Sequence, residues 1–279
     1  MKIGNAIIVG AGAPAALAAL ALHRAFARGG LEVRWVETPS RADARQSYAA
    51  LPNIQSFHRL LGIDEGAVLR ATGGAFSLGC QYVGFSGEGS SFLHGYGPVG
   101  QPFGSLPFAQ FWIKAHEAGM PAAYGDFARD AVAALNGRMQ LPENGRPAPT
   151  AQGYHLDARS YADLLRDHAE KLGIAMHTDD APQAVVRDGR VAAIRLTDGR
   201  ELAGDLFIDA TGSGASILTA INDAEPTRSA ISGVDRMMRV DANPLRPVPL
   251  YARTTAHRAG WTTMLPMQRK VAIEVAYDS

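Results

Sequence analysis

Residues 6–15, Ala6-Ile7-Ile8-Val9-Gly10-Ala11-Gly12-Ala13-Pro14-Ala15, decide the fold. The run Ala6 to Val9 is a short apolar strand that ends in glycine. An alanine- and leucine-rich helix follows and closes at Gly29-Gly30, and a second strand, Leu31 to Val36, ends at Glu37. Strand, tight turn, helix and strand in this order make a parallel crossover unit. Within it, Gly10 permits the tight turn and Gly12 lets the backbone approach a pyrophosphate. Ala15 holds the third position, where a small residue lets the helix pack on the strand. The helix start, with Ala13 in its first turn, offers amide donors and a positive dipole end to phosphates. Pro14 is tolerated there because first-turn amides have no helical partner. A plain glycine turn between strand and helix would also fit these residues taken alone.

Glu37, 27 positions after Gly10, stands at the end of the second strand. A carboxylate at that point accepts hydrogen bonds from the adenosine ribose hydroxyls and repels a 2′-phosphate. FAD and NAD are thereby favoured over NADP. Further on, Asp198-Gly199 leads into Gly204-Asp205-Leu206-Phe207-Ile208-Asp209-Ala210-Thr211-Gly212. This stretch resembles the pattern by which many FAD-dependent oxidoreductases return to the nucleotide sheet: a helix, a hairpin, and a strand ending in Ala-Thr-Gly. The small residues Ala210, Thr211 and Gly212 would let backbone sit beside the cofactor. The expected cofactor is FAD, held by Gly10, Gly12, Ala13, Ala15, Glu37, Ala210, Thr211 and Gly212. An NAD-dependent oxidoreductase needs only the first 37 residues, and the later pattern weighs against it.

Composition removes several other classes. The 279 residues are 47% hydrophobic, enough for a substantial core, and 27 basic residues balance 27 acidic ones. No run of one charge points to nucleic acid or an anionic membrane. The one cysteine, Cys80, excludes an intramolecular disulfide and offers no thiolate cluster, so no metal site is expected and a reducing, cytoplasmic setting suits it. The start reads as no export signal, and the apolar run Ala15 to Ala27 is interrupted by His23 and Arg24 well short of a membrane span.

The expected fold is α/β: an FAD-binding Rossmann-like parallel sheet with an inserted and a C-terminal antiparallel, β-rich substrate region. Residues 1–72 and 157–225 are assigned to the nucleotide domain, and 73–156 and 226–279 to substrate-region strands and helices, incomplete at the C-terminus. Residues 38–52 read as loop, Asn53 to Leu61 as a short helix, and the glycine-dense Gly73 to Pro107 as short antiparallel strands. Phe108 to His116 and Gly125 to Leu135 read as helices and Asn136 to Gly153 as a linker. A helix opens at Asp157 and ends at Gly173. Ile174 to His177 is a strand, a hairpin turns at Asp188-Gly189, and antiparallel strands run from Val234 to the end.

From Ile7 to the last residue the chain resembles the flavin-dependent tryptophan halogenases. The resemblance runs through Leu51-Pro52-Asn53-Ile54 to Leu61-Gly62-Ile63, Gly74-Ala75-Phe76 with Leu78-Gly79, and Pro107-Phe108. It continues through Gly153-Tyr154-His155-Leu156-Asp157, Gly204 to Gly212, and Gly260-Trp261 to Leu265-Pro266. It implies a flavoprotein monooxygenase in which reduced FAD and oxygen oxidise halide to hypohalous acid, and an active-site lysine presents the oxidant to the substrate. It also implies a flavin reductase as partner, a small aromatic, indole-like substrate, and a substrate pocket touched by Trp261 and Pro266.

The departures from that family are specific. Its lysine, after the Gly-Ala-Phe stretch, is Ser77, which has no amine to form a haloamine or to polarise hypohalous acid. The flavin-proximal Gly-Val-Gly-Glu reads Arg45-Gln46-Ser47-Tyr48, the tryptophan after the glycine loop is Ala16, and Trp-x-Trp-x-Ile-Pro reads Trp261-Thr262-Thr263-Met264-Leu265-Pro266. The sequence also stops before the family's halide loop and catalytic glutamate, so a fragment and a shortened paralogue are both open. No residue present is assigned as the catalyst, and halogenation is expected to be impaired or altered. A non-catalytic nucleotide-binding paralogue or interaction module is the competing reading.

Other residues read as structural. His94, His116 and His155 lack metal-ligand spacing, Asp157 caps its helix, and Phe108 and Trp112 pack one helical face. No Gly-x-Ser-x-Gly elbow follows a strand, which argues against a serine hydrolase. The oligomeric state is not legible; an open sheet edge where the sequence stops would favour dimers.

Overall fold

The computed structural model describes residues 3–40, 44–141, 150–221 and 233–279. In chain order its elements begin with β1 (Asn5–Gly10), α1 (Gly12–Phe26), β2 (Glu32–Glu37), β3 (Ser47–Ala50), α2 (Asn53–Leu61) and α3 (Glu65–Thr72). Next come β4 (Ala75–Ser77), β5 (Gly79–Val83), β6 (Ser91–Gly95), α4 (Phe108–Glu117), α5 (Arg129–Leu135), β7 (Gly153–Asp157) and α6 (Ala158–Lys171). Strands β8 (Ala175–Thr178), β9 (Gln183–Arg187), β10 (Arg190–Arg195), β11 (Glu201–Ala203) and β12 (Leu206–Ala210) follow. The last four are β13 (Arg236–Ala242), β14 (Ala252–His257), β15 (Gly260–Pro266) and β16 (Val271–Tyr277). The chain divides into two compact units, one of Met1–Ala44, His58–Asp64 and Ala158–Ser229, the other of Arg45–Phe57, Glu65–Asp157 and Ala230–Ser279.

The first unit is built on a parallel sheet in the order β12-β1-β2-β8. Ile7 and Val9, on one face of β1, share a core with Val36, Ile194, Leu196, Leu202 and Ile217, so the antiparallel sheet β11-β10-β9 covers that side. Ala6 and Ile8 on the other face are equally buried, and α1 packs on β1, β2 and β12 with α6 against it. Burial on both faces is why β1 is a continuous apolar run rather than an alternating one. Each of Ile7, Ile8 and Val9 contributes about 1.5–3 kcal/mol by leaving water. Asp205 fixes the near end of the β1–β12 pair: its Oδ2 accepts the amides of Gly4 and Asn5 at 2.8 and 3.0 Å. The hairpin β9–β10 turns at Asp188 and Gly189, both with positive φ, as the Asp-Gly pair predicts.

The second unit holds a six-stranded sheet, β13-β16-β15-β14-β5-β6, antiparallel except for β14 against β5, and a smaller antiparallel sheet, β3-β7-β4. Ala131 and Ala134 of α5, with Ala128 just before it, pack against Leu78 and Leu93. Phe108 and Trp112 of α4 meet Tyr124, and Phe108 also meets Phe127, so the two aromatics do pack one helical face.

Several readings of the sequence need correction. Residues 47–50, expected as loop, form β3, because their pairing with β7 outweighs the prolines on either side. Helix α3 was not anticipated; Glu65–Thr72 is only two turns long and has a weak apolar period. The helix expected over Gly125 to Leu135 is broken at Ala128, which is extended (φ −93°, ψ 102°) between a short 3₁₀ turn and α5. The last strand, β16, lies inside its sheet between β13 and β15, so it is not the open edge expected there. The expected linker over Asn136 to Gly153 falls partly outside the described residues. Among the described residues no helix is long and apolar enough to cross a membrane.

Candidate functional site

The sheet register assembles the site. Gly10 is level with Ala210 on one side and with Glu37 on the other, and Glu37 is level with Thr178. Four strands thus end together, and residues expected from three separate stretches of sequence stand side by side at their carboxyl ends, where open parallel sheets bind ligands.

Gly10 is required by its neighbour. Its φ is 146°, and a Cβ there would lie 2.1 Å from the carbonyl oxygen of Ala210. Its own carbonyl accepts the indole N–H of buried Trp35 at 2.9 Å and the amide of Thr38 at 3.3 Å. The loop is therefore held from β2 as well as from its own strand. Gly12 differs: a Cβ there would meet open space, with Pro14 Cδ nearest at 3.9 Å, and glycine is favoured by its φ of 71° alone. Ala13 and Ala15 are buried, which lets the helix lie close to the sheet.

Helix α1 begins without a cap. Ala11 makes no side-chain bond to the first turn, and that turn holds no acidic residue. The amides of Gly12 and Ala13 are left for another acceptor, and an anion is what the positive end of a helix favours. Glu37, 22% exposed, accepts Arg166 Nε on its Oε2 at 2.9 Å, while Oε1 takes no hydrogen bond among the described residues. Asp179 donates its amide to the Glu37 carbonyl and anchors the adjoining loop through Thr197 and Ala181.

The turn after β12 is organised by Asp209. Its Oδ1 accepts the amide and hydroxyl of Thr211 at 3.0 and 2.6 Å, and its Oδ2 accepts the amides of Ile217 and Leu218, each at 2.9 Å. Burial opposes the charge of Asp209, but these donors outweigh it and hold its carboxyl below the usual aspartate range. Thr211 Oγ1 also accepts the Ser216 amide, so its hydroxyl is occupied within the loop. Gly212, with a φ of 85° and open space at its Cβ position, leaves the backbone approachable.

Trp35, Arg166 and Asp209 are the participants that sequence reading missed. Trp35 had one available signal, its place two residues before Glu37 on the same strand, which sets both on one face. Asp209 lies within Gly204 to Gly212, but nothing in that stretch gives its carboxylate a partner. Arg166 had no signal, being 129 residues from its partner.

The second unit holds the remaining expected positions. Ser77 is wholly buried on β4, donating to the Gly79 carbonyl at 3.1 Å, with Tyr96 Oη at 3.5 Å. Burial raises the Tyr96 hydroxyl above its ordinary value. Lys270 is bound to Asp157 and Asp241 at 2.9 and 3.1 Å, so Asp157 anchors β16 in addition to any part it plays at the start of α6. His155 is fully buried; its Nδ1 donates to the carbonyl of Pro266 at 2.9 Å, and burial lowers its pKa to about 4. Trp261 is half-buried on β15 opposite Ala256 and Ala276. A cavity of about 720 Å³ is lined by Gln101, Phe127, Arg129 and Arg138 among others, and includes neither Trp261 nor Pro266. No group of three or more metal-ligating side chains occurs among the described residues.

A family model described as tryptophan halogenase matches residues 5–279. Tryptophan 7-halogenase RebH of Lentzea aerocolonigenes is 27% identical over 100% of this chain and 56% of its own length. Tryptophan 6-halogenase ThaL of Streptomyces albogriseolus is 26% identical over 95% of this chain and 54% of its own. Among solved structures, BrvH, a flavin-dependent halogenase from Brevundimonas sp. BAL3, superimposes with a TM-score of 0.88 at 28% identity, over 99% of this chain and 57% of that one. Xcc4156, a flavin-dependent halogenase from Xanthomonas campestris, gives 0.90 at 29% identity, over 100% and 56%. The chain spans a little over half the length of the relatives it matches. The α/β fold with one parallel and several antiparallel sheets and the match along the whole chain agree: this chain belongs to the tryptophan halogenase family.

Proposed function

We propose that this chain is an FAD-binding protein of the flavin-dependent halogenase group whose first unit binds the adenosine and pyrophosphate of the cofactor. The observation that carries this reading is the register that sets Ala210, Gly10 and Glu37 side by side at the ends of three parallel strands. The residues fit the group: an uncapped helix start faces no acidic side chain in its first turn, Gly10 and Gly12 keep the backbone bare, and Oε1 of Glu37 takes no hydrogen bond among the described residues. In this reading Gly12 and Ala13 donate to the pyrophosphate and Glu37 accepts from the ribose. Ala15 keeps the helix close, and Ala210, Thr211 and Gly212 leave backbone beside the cofactor. Bound FAD supplies the oxygen and redox chemistry, and the protein supplies binding and orientation. A flavin reductase as source of reduced cofactor, a cytoplasmic setting for this chain and a small indole-like substrate near Trp261 and Pro266 belong to the same proposal.

Halogenation by this chain is a separate matter. Ser77 is buried, its hydroxyl is bound to Gly79, and it offers no amine to carry or polarise hypohalous acid. Purified chain supplied with a flavin reductase, bromide, oxygen and indole is expected to yield no bromoindole by mass spectrometry. Bromoindole above the level of reductase alone would overturn the role given to Ser77. The comparisons favour neither a nicotinamide-dependent enzyme nor a non-catalytic module.

A further inference from the structure

The role of Glu37 as ribose acceptor leaves its contact with Arg166 unexplained. Arg166 lies on α6 with its guanidinium between two carboxylates: Nε donates to Glu37 Oε2 at 2.9 Å and Nη1 to Glu170 Oε1 at 2.7 Å. Glu170, one helical turn along from Arg166, holds the guanidinium from the far side. A glutamate at the end of a strand has three side-chain torsions to fix before it can meet a ligand, and fixing them on binding weakens the complex. Here one carboxylate oxygen is tied down and the other takes no hydrogen bond among the described residues, which orients the group and leaves an acceptor in place. Arg166 and Glu37 are 36% and 22% exposed, so the pair adds little to the stability of the fold.

We propose that Arg166 is a positioning residue for the nucleotide ribose: it holds Glu37 in one orientation so that Oε1 meets a ribose hydroxyl, with Glu170 holding Arg166 in turn. The proposal rests on the reading of Glu37 as ribose acceptor, and the test separates the two. The full chain is titrated calorimetrically with ADP and with 2′,3′-dideoxy-ADP, which lacks both hydroxyls. The parent binds ADP more tightly than the dideoxy analogue, and Glu37→Gln narrows that difference. Arg166→Ala weakens ADP about fivefold, the size of a partly exposed charge-assisted contact, while dideoxy-ADP binding and the melting temperature stay near the parent's. Arg166→Lys is intermediate, and adding Arg166→Ala to Glu37→Gln weakens ADP no further. Parental ADP affinity in Arg166→Ala overturns the positioning role, as does equal weakening toward both ligands with a lowered melting temperature. Should Arg166→Ala not fold, Arg166→Lys and Glu170→Gln carry the same comparison. Equal affinity of the parent for the two ligands overturns the ribose reading itself, and the positioning role with it.

Discussion

Replacing Gly10 by alanine separates the structural from the ligand-binding demands on the phosphate loop. The new Cβ would sit 2.1 Å from the carbonyl oxygen of Ala210, 2.3 Å from its carbonyl carbon and 2.8 Å from its Cβ. Relief requires β1 and β12 to part by roughly 1 Å at that register, the scale on which overpacking costs about 1–3 kcal/mol. A φ of 146° adds strain of about 1–3 kcal/mol for a residue with a side chain. The expected loss is about 3–5 kcal/mol, a large part of the roughly 5–15 kcal/mol typical of a folded domain. Gly12→Ala makes a sharp control. Its Cβ meets nothing closer than 3.9 Å, so only the left-handed backbone resists it, at about 1–2 kcal/mol. Urea unfolding followed by circular dichroism gives both numbers. Gly10→Ala should have clearly the lower midpoint, and Gly12→Ala should stay folded while losing ADP affinity. A Gly10→Ala variant within about 1 kcal/mol of the parent, or a greater loss in Gly12→Ala, would refute the close approach of the two strands.

Two further outcomes follow from buried polar contacts. Trp35→Phe keeps an aromatic ring but removes the N–H held by the Gly10 carbonyl; it should lower stability by about 1–2 kcal/mol and weaken ADP binding several-fold in a calorimetric titration. Unchanged ADP affinity would mean that Trp35 supports the sheet and not the loop. His155 is neutral in the folded state with a pKa of about 4 against about 6.5 when unfolded, so the unfolded chain binds the extra proton between those values. The stability this neutral histidine contributes is complete above pH 6.5 and falls as the pH drops toward 4, by about 3 kcal/mol. His155→Gln should flatten that part of the stability profile, and an equally steep profile in the variant would place the acid sensitivity elsewhere.

Much of the first unit was legible because its signals are local. The apolar run before Gly10 reports a strand buried on both faces, and Asp188-Gly189 and the break at Gly29-Gly30 report turns whose backbone conformations few other residues adopt. The register was not legible: nothing in the spacing of Gly10, Glu37 and Ala210 states that they share one level, because long-range pairing sets it. Arg166 and Trp35 were missed for the same reason, their partners being 129 and 25 residues away. In the second unit β3 and α3 are not legible in the sequence because each is short and is stabilised by tertiary contact more than by its own period. Ser77 was singled out by resemblance alone; its burial and its bond to Gly79 became visible only with the fold.

The central claim about this chain is that it holds FAD through the adenosine half of the cofactor. Titration of the purified chain into FAD, followed by flavin fluorescence and with ADP as competitor, measures this directly. The expected result is saturation at about one FAD per chain, displacement by ADP, and loss of affinity in Glu37→Gln. An absence of saturable FAD binding, or binding that ADP does not displace, would contradict it.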